Sequence, residues 1–141
     1  MDWIDNLRNV DYIAVAVATV SSYVLGFVWY HWAVFGKTWA KLLGMTKDEA
    51  DKTEGLAGAF IMSLIGGLAK TIFMAVLMVA TGTTSAFGGV VFGGIVALTL
   101  ISTSIAYHNG FARVSSKLTM IDAAHDIVEL AVIGAIIGMF A

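Results

Sequence analysis

Four ionisable side chains, Asp122, His125, Asp126 and Glu129, head the C-terminal apolar stretch IDAAHDIVELAVIGAIIGMF, residues 121–140. A helix turns about 100° per residue, so the four share one face within an arc of about 100°. Carboxylates so placed can bind or pass protons and cations, and charged groups in hydrocarbon must meet partners, water or a ligand. A fifth charge, Lys70, lies about twelve residues into the second apolar segment, roughly 18 Å deep at 1.5 Å per residue and near a bilayer midplane. An unpaired charge there costs about 2.5–3.5 kcal/mol, whereas each apolar residue returns only about 0.3–0.6 kcal/mol. A Lys70–Glu129 ion pair, or a neutral form of one partner, is the expected resolution. Lys70, Asp126 and Glu129 are therefore the candidate proton- or ion-binding set.

A second polar group gathers at span ends on one side: Tyr30, His31, Tyr107, His108, Asp122 and His125, with Asn109 nearby. His125 with Asp122 (i, i+3) or with Glu129 (i, i+4) could present two ligands to one metal ion, with His31 and His108 contributing from other helices. The commoner role for such residues is hydrogen bonding that holds helix ends together. Asp122 also suits the positive N-terminal end of a helix. An outward proton route beyond Glu129 would need Thr99, Ser102, Thr103 and Ser104, although such hydroxyls more often bond back to their own helix. No nucleophile setting, phosphate loop or cofactor signature occurs, so neither an enzyme nor a bound cofactor is expected.

The elements that position these residues are membrane spans. Of 141 residues 59% are hydrophobic and 13% charged, with mean hydropathy +0.87. Soluble domains carry about 25% charged residues. There is no cysteine for a disulfide or thiolate site and no proline to kink a helix. The basic residues form no cluster, which excludes nucleic acid as a partner. Four apolar segments, near residues 11–35, 58–80, 86–108 and 121–140, are long enough to cross a bilayer. They predict an all-α integral membrane four-helix bundle forming a single membrane domain. Asp2, Asp5 and Asp11 against one Arg8 oppose the basic start of a secretory signal, so the first segment reads as a retained span.

Lysine and arginine counts set the orientation. Lys37, Lys41, Lys47, Lys52, Arg113 and Lys117 lie in loops 1 and 3, against Arg8 alone on the other side. Loops 1 and 3 are then cytoplasmic and both termini outside, in a bacterial inner membrane. Within loop 1, Trp39, Leu42 and Leu43 predict a short interfacial helix ended by Gly44. Thr46 and Glu49 predict a capping box opening a second, stopped by Gly55. Tyr30-His31 and Tyr107-His108 hint at two related hairpins. Gly89/Gly93 and Gly134/Gly138 are GxxxG pairs suited to close helix packing. Four spans bury few helix faces, so a homo-oligomer or a larger membrane complex is expected around this chain. An accessory subunit that docks a partner helix is thus the alternative to a proton- or cation-conducting protein.

The stretch LGFVWYHWAVFGKTWAKLLGMT, residues 25–46, resembles the start of the DUF1761 family of small four-span membrane proteins. The matching positions are Trp29, Tyr30, Phe35, Gly36, Lys37 and Trp39. Ile121-Asp122-Ala123, His125 and Gly134-Ala135-Ile136 resemble its closing span. The resemblance implies the four-span fold and assigns no catalytic role. His31-Trp32 replaces a more usual small residue and proline, and Asp126 and Glu129 stand where the pattern is mostly apolar.

Overall fold

Aspartates open the first two helices. In the structure, a computed structural model describing residues 2–141, Asp2 accepts the Ile4 N–H at the start of α1 (Trp3–Arg8). Asp11 accepts those of Ile13 and Ala14 at the start of α2 (Tyr12–Trp29). Both satisfy amides that a helix start leaves unpaired. Loop 1 then carries α3 (Lys37–Leu42) and α4 (Lys47–Ala50), and α5 (Ala57–Thr81) ends on Gly82 at φ 67°. α6 (Ala86–Val96) and α7 (Thr103–Phe111) are joined by a π-helical turn, Ala97–Ser102. α8 (Ser116–Phe140) closes the chain. Among the described residues there is no strand. Four helical stretches, Tyr12–Leu42, Ala57–Thr81, Ala86–Phe111 and Ser116–Phe140, are long and apolar enough to cross a membrane. The protein is an all-α integral membrane four-helix bundle.

Two boundaries differ from the sequence expectation. The first span breaks at Tyr30–His31 without a proline. A π-helical turn, Trp32–Gly36, follows, and the Gly36 N–H donates to the His31 carbonyl at 3.0 Å. Only glycine fits there, because a Cβ on Gly36 would lie 2.3 Å from the Tyr30 carbonyl oxygen. Gly36→Ala is expected to destabilise the fold by about 1–3 kcal/mol, the usual cost of overpacking, seen as a lower detergent-solubilised melting temperature. The second difference is that α8 starts at Ser116, not near 121, because Ser116–Met120 simply continue the helix toward loop 3.

The capping box in loop 1 is present. Glu49 accepts the Thr46 N–H at 2.8 Å, and Thr46 Oγ1 accepts the Glu49 N–H at 3.3 Å. The Thr46 N–H and the Thr46 hydroxyl, which donates to Glu49 Oε2 at 2.7 Å, hold the Glu49 carboxyl below its ordinary pKa. A depressed carboxylate pKa means the stabilisation is full above the unfolded pKa and lost as pH falls through the folded one. Acidification below the usual carboxylate range should therefore lower the protection of the Thr46 amide hydrogen, relative to its intrinsic exchange rate at the same pH, before the spans respond.

α8 is the central helix, packed against α2, α3, α5, α6 and α7. Toward α6 the contact is backbone on backbone: a Cβ on Gly89 would lie 1.9 Å from the Gly134 carbonyl oxygen, and one on Gly93 2.0 Å from that of Leu130. A Cβ on Gly138 would lie 2.3 Å from the Ser85 carbonyl oxygen. At the end bearing both chain termini, Val15, Ala18, Met74, Met78, Ile133 and Ile137 form an apolar core. Large apolar residues such as Ile61, Phe87 and Leu100 face outward, as lipid contact requires.

Candidate ion-binding cavity

Small residues four apart on α2 (Ala14, Ala18, Ser22, Gly26) let it approach α8 closely. The buried Ser22 hydroxyl donates to Glu129 Oε1, and the Lys70 ammonium donates to Glu129 Oε2. Lys70 and Glu129 are each the fourteenth of 25 residues in α5 and α8. Both therefore lie about 20 Å from one helix end and about 17 Å from the other. The Glu129 side chain is 6% exposed and that of Lys70 29%. The carboxylate is thus the enclosed partner, with each oxygen already bonded, and the ammonium reaches it from the more open side.

That open side is a cavity of about 1000 Å³ between α2, α5 and α8, with residues of loop 1 lining one end. The ion pair and Ser22 line its deep end, and Asp122, His125 and Asp126 line the α8 wall toward loop 1. Tyr30 donates from its hydroxyl to Asp122 Oδ1 at 2.8 Å. Asp126 Oδ1 lies 3.4 Å from His125 Nδ1, while His125 Nε2 is buried without a hydrogen-bond partner. The Tyr23 hydroxyl and Ser63 Oγ, 3.2 Å apart, bridge α2 and α5 along the cavity. Removing the Tyr30 hydroxyl should cost about 1.5–3 kcal/mol, the value of a hydrogen bond to a charged group. The measurement is the melting temperature of Tyr30→Phe in detergent.

Lys70, Asp126, Glu129, Tyr30, Asp122 and His125 thus share one cavity. His31, Tyr107 and His108 do not join them. His31 Nδ1 accepts the Ala33 N–H, capping its own π turn. His108 bonds to the Ser104 carbonyl at 2.9 Å, on the exposed outer side of α7 with Tyr107. Sharing a membrane face with the cluster is not the same as sharing a helix–helix contact, which is why the two sets separate. Thr99 and Thr103 also bond back, to the carbonyls of Ile95 and Thr99. The glycines at 89, 93, 134 and 138 serve the α6–α8 contact and line no part of the cavity.

One ligand atom from each of His125, Asp126 and Glu129 lies within 4.8 Å of the others, a spacing that one metal ion could bridge. Lys70 argues against a multivalent ion there, because its ammonium already neutralises Glu129 and would repel a second concentrated charge. The arrangement instead suits competition by a single charge.

Sequence reasoning missed Ser22, whose spacing from Ala14, Ala18 and Gly26 was the available signal. It also missed that the residues resembling the family at both ends of the chain meet. Trp29 Nε1–H donates to the Ile121 carbonyl at 3.3 Å. The Tyr30 ring lies 5.3 Å from that of His125 and edge-on to Trp39 at 5.7 Å. Phe35 packs on Trp29 at 4.7 Å. Of these, Tyr30, Trp39 and His125 line the cavity toward loop 1, and Trp29 and Phe35 pack behind them. No curated protein and no solved structure matches the chain. A family model described as a protein of unknown function (DUF1761) matches residues 13–138, and the chain belongs to that family.

Proposed function

We propose that the protein binds a proton or small cation at Glu129 and passes it across the membrane. The observation that carries this reading is the Lys70–Glu129 pair at the end of the cavity remote from loop 1, with the apolar core beyond it. Ions are steered in by Asp122 and Asp126 and reach Glu129 from the loop-1 side. Protonation or cation binding there frees the Lys70 ammonium, whose flexible stem withdraws into the cavity. We read the lysine and arginine distribution as favouring a cytoplasmic loop-1 end of the cavity and external termini, and propose a bacterial inner membrane as the setting. Purified protein in liposomes, under an imposed pH gradient, should show proton or monovalent-cation flux that Glu129→Gln removes. No flux above empty liposomes, or flux that Glu129→Gln leaves unchanged, overturns the reading.

A second reading is favoured by α5. Its first half, residues 57–66, has no buried residue. An accessory subunit could cover that half with a second copy or a partner helix. Stoichiometric co-purification of another chain from native membranes, with no flux in liposomes, supports this alternative.

A further inference from the structure

The cavity is far larger than a proton or bare ion requires, and most of its wall cannot solvate one. Its volume of about 1000 Å³ lies at the upper end of the range for pockets that enclose drug-sized ligands. Aromatic rings supply much of the lining, among them Tyr23, Phe27, Trp39 and Phe60. The charged lining is strongly one-sided: four carboxylates, of Asp51, Asp122, Asp126 and Glu129, face the single ammonium of Lys70. Lys70 is committed to Glu129, and Lys47 pairs with Asp51 at the loop. Among the described residues Asp122 and Asp126 meet no lysine or arginine, only the Tyr30 hydroxyl and the His125 imidazole. Aromatic faces beside uncompensated carboxylates attract cations that carry an apolar body, because ring and carboxylate act on the same charge. A bare metal ion leaves the rings unused, and an anion meets the carboxylates.

The glycines of α5 give the body its room. A Cβ on Gly66 would meet nothing within 4 Å, and one on Gly67 only the Tyr23 ring at 3.6 Å. Both glycines line the cavity, one turn before Lys70. From these features we propose that the cavity is a binding site for a monovalent organic cation with an aromatic or bulky apolar body. The charged centre sits between Asp126 and the Lys70–Glu129 pair, and the body lies against Phe60, Trp39 and the glycine wall. This deepens the cation reading above and rests on it, since it names the class of cation that the same acidic face selects.

Two ions of nearly equal size and opposite charge make the test: tetraphenylphosphonium and tetraphenylborate. They are titrated calorimetrically into the full-length protein in a zwitterionic detergent. The expected result is saturable binding of tetraphenylphosphonium, at least about tenfold tighter than that of tetraphenylborate, and weakened about tenfold by Asp126→Asn. Gly66→Phe should abolish it by filling the open space. Phe60→Ala should weaken it about two- to fivefold by removing one ring from a partly exposed position. If Gly66→Phe yields no folded protein, Phe60→Ala and Asp126→Asn decide. Equal binding of both ions, no binding of either, or affinity unchanged in these variants overturns the proposal. Proton flux without tetraphenylphosphonium binding refutes the organic-cation assignment alone. Binding without any flux leaves that assignment standing and removes translocation.

Discussion

Replacing Lys70 by alanine is expected to destabilise the protein by about 3–5 kcal/mol, more than replacing Glu129 by glutamine does. The asymmetry follows from burial. Glu129 is almost wholly enclosed, whereas Lys70 borders the cavity. Lys70→Ala leaves a carboxylate in a low-dielectric interior with only the Ser22 hydroxyl to hold it. Glu129→Gln leaves an ammonium that can turn to cavity water and keeps an amide oxygen for Ser22 to bond. A single charge stranded in the interior is expensive, whereas removing both charges can be nearly neutral. Lys70→Met combined with Glu129→Leu should therefore recover most of the stability that Lys70→Ala loses. Reversible unfolding in mixed micelles measures all three. Exchanging the charges, Lys70→Glu with Glu129→Lys, should recover part of what either change alone loses. A double exchange that recovers nothing, with Lys70→Ala as stable as the parent, removes the pair as a structural element.

That pair is legible in the sequence because membrane energetics leave few alternatives: two opposite charges near mid-span are costly apart. The Thr46–Glu49 capping box was equally legible, being a local motif that closes within one helical turn. Ser22 was not, since a hydroxyl in a span satisfies itself on its own helix as readily as it reaches across, and Thr19 and Thr71 do the former. The π turns at 32–36 and 97–102 were hidden for a different reason. A chain without proline carries no breaker to mark a bend, and Gly36 reads as one glycine among 15 until the Tyr30 carbonyl is seen against it. His31 and His108 had the right type and depth for the cluster, but sequence depth places a residue along the membrane normal and not around the bundle. The meeting of residues 29–39 with residues 121–125 is a long-range contact of the same kind.

The second large effect is expected at the α6–α8 contact, where Gly134→Ala should destabilise by about 1–3 kcal/mol or more. The added methyl has nowhere to go. Its Cβ would stand 2.1 Å from the Gly89 carbonyl oxygen, which is backbone and cannot rotate aside as a side chain would. Ordinary contact requires more than 3 Å, so the helices must part by about 1 Å or α8 must turn about its axis. Between spans there is little hydrophobic drive to compensate, because lipid is as apolar as the interface, so association depends on the close contact that the methyl removes. Gly94 is the internal control. It lies on α6, the helix that carries Gly89, and a Cβ there meets nothing within 4 Å, so Gly94→Ala should change stability little. Since α8 is one continuous helix from Ser116 to Phe140, displacement at Gly134 also carries to Glu129, little more than one turn away. Gly134→Ala should therefore weaken the Lys70–Glu129 coupling energy in a double-mutant cycle, and Gly94→Ala should not. Equal stability of the two alanine variants would remove the backbone contact as the reason for glycine at this position.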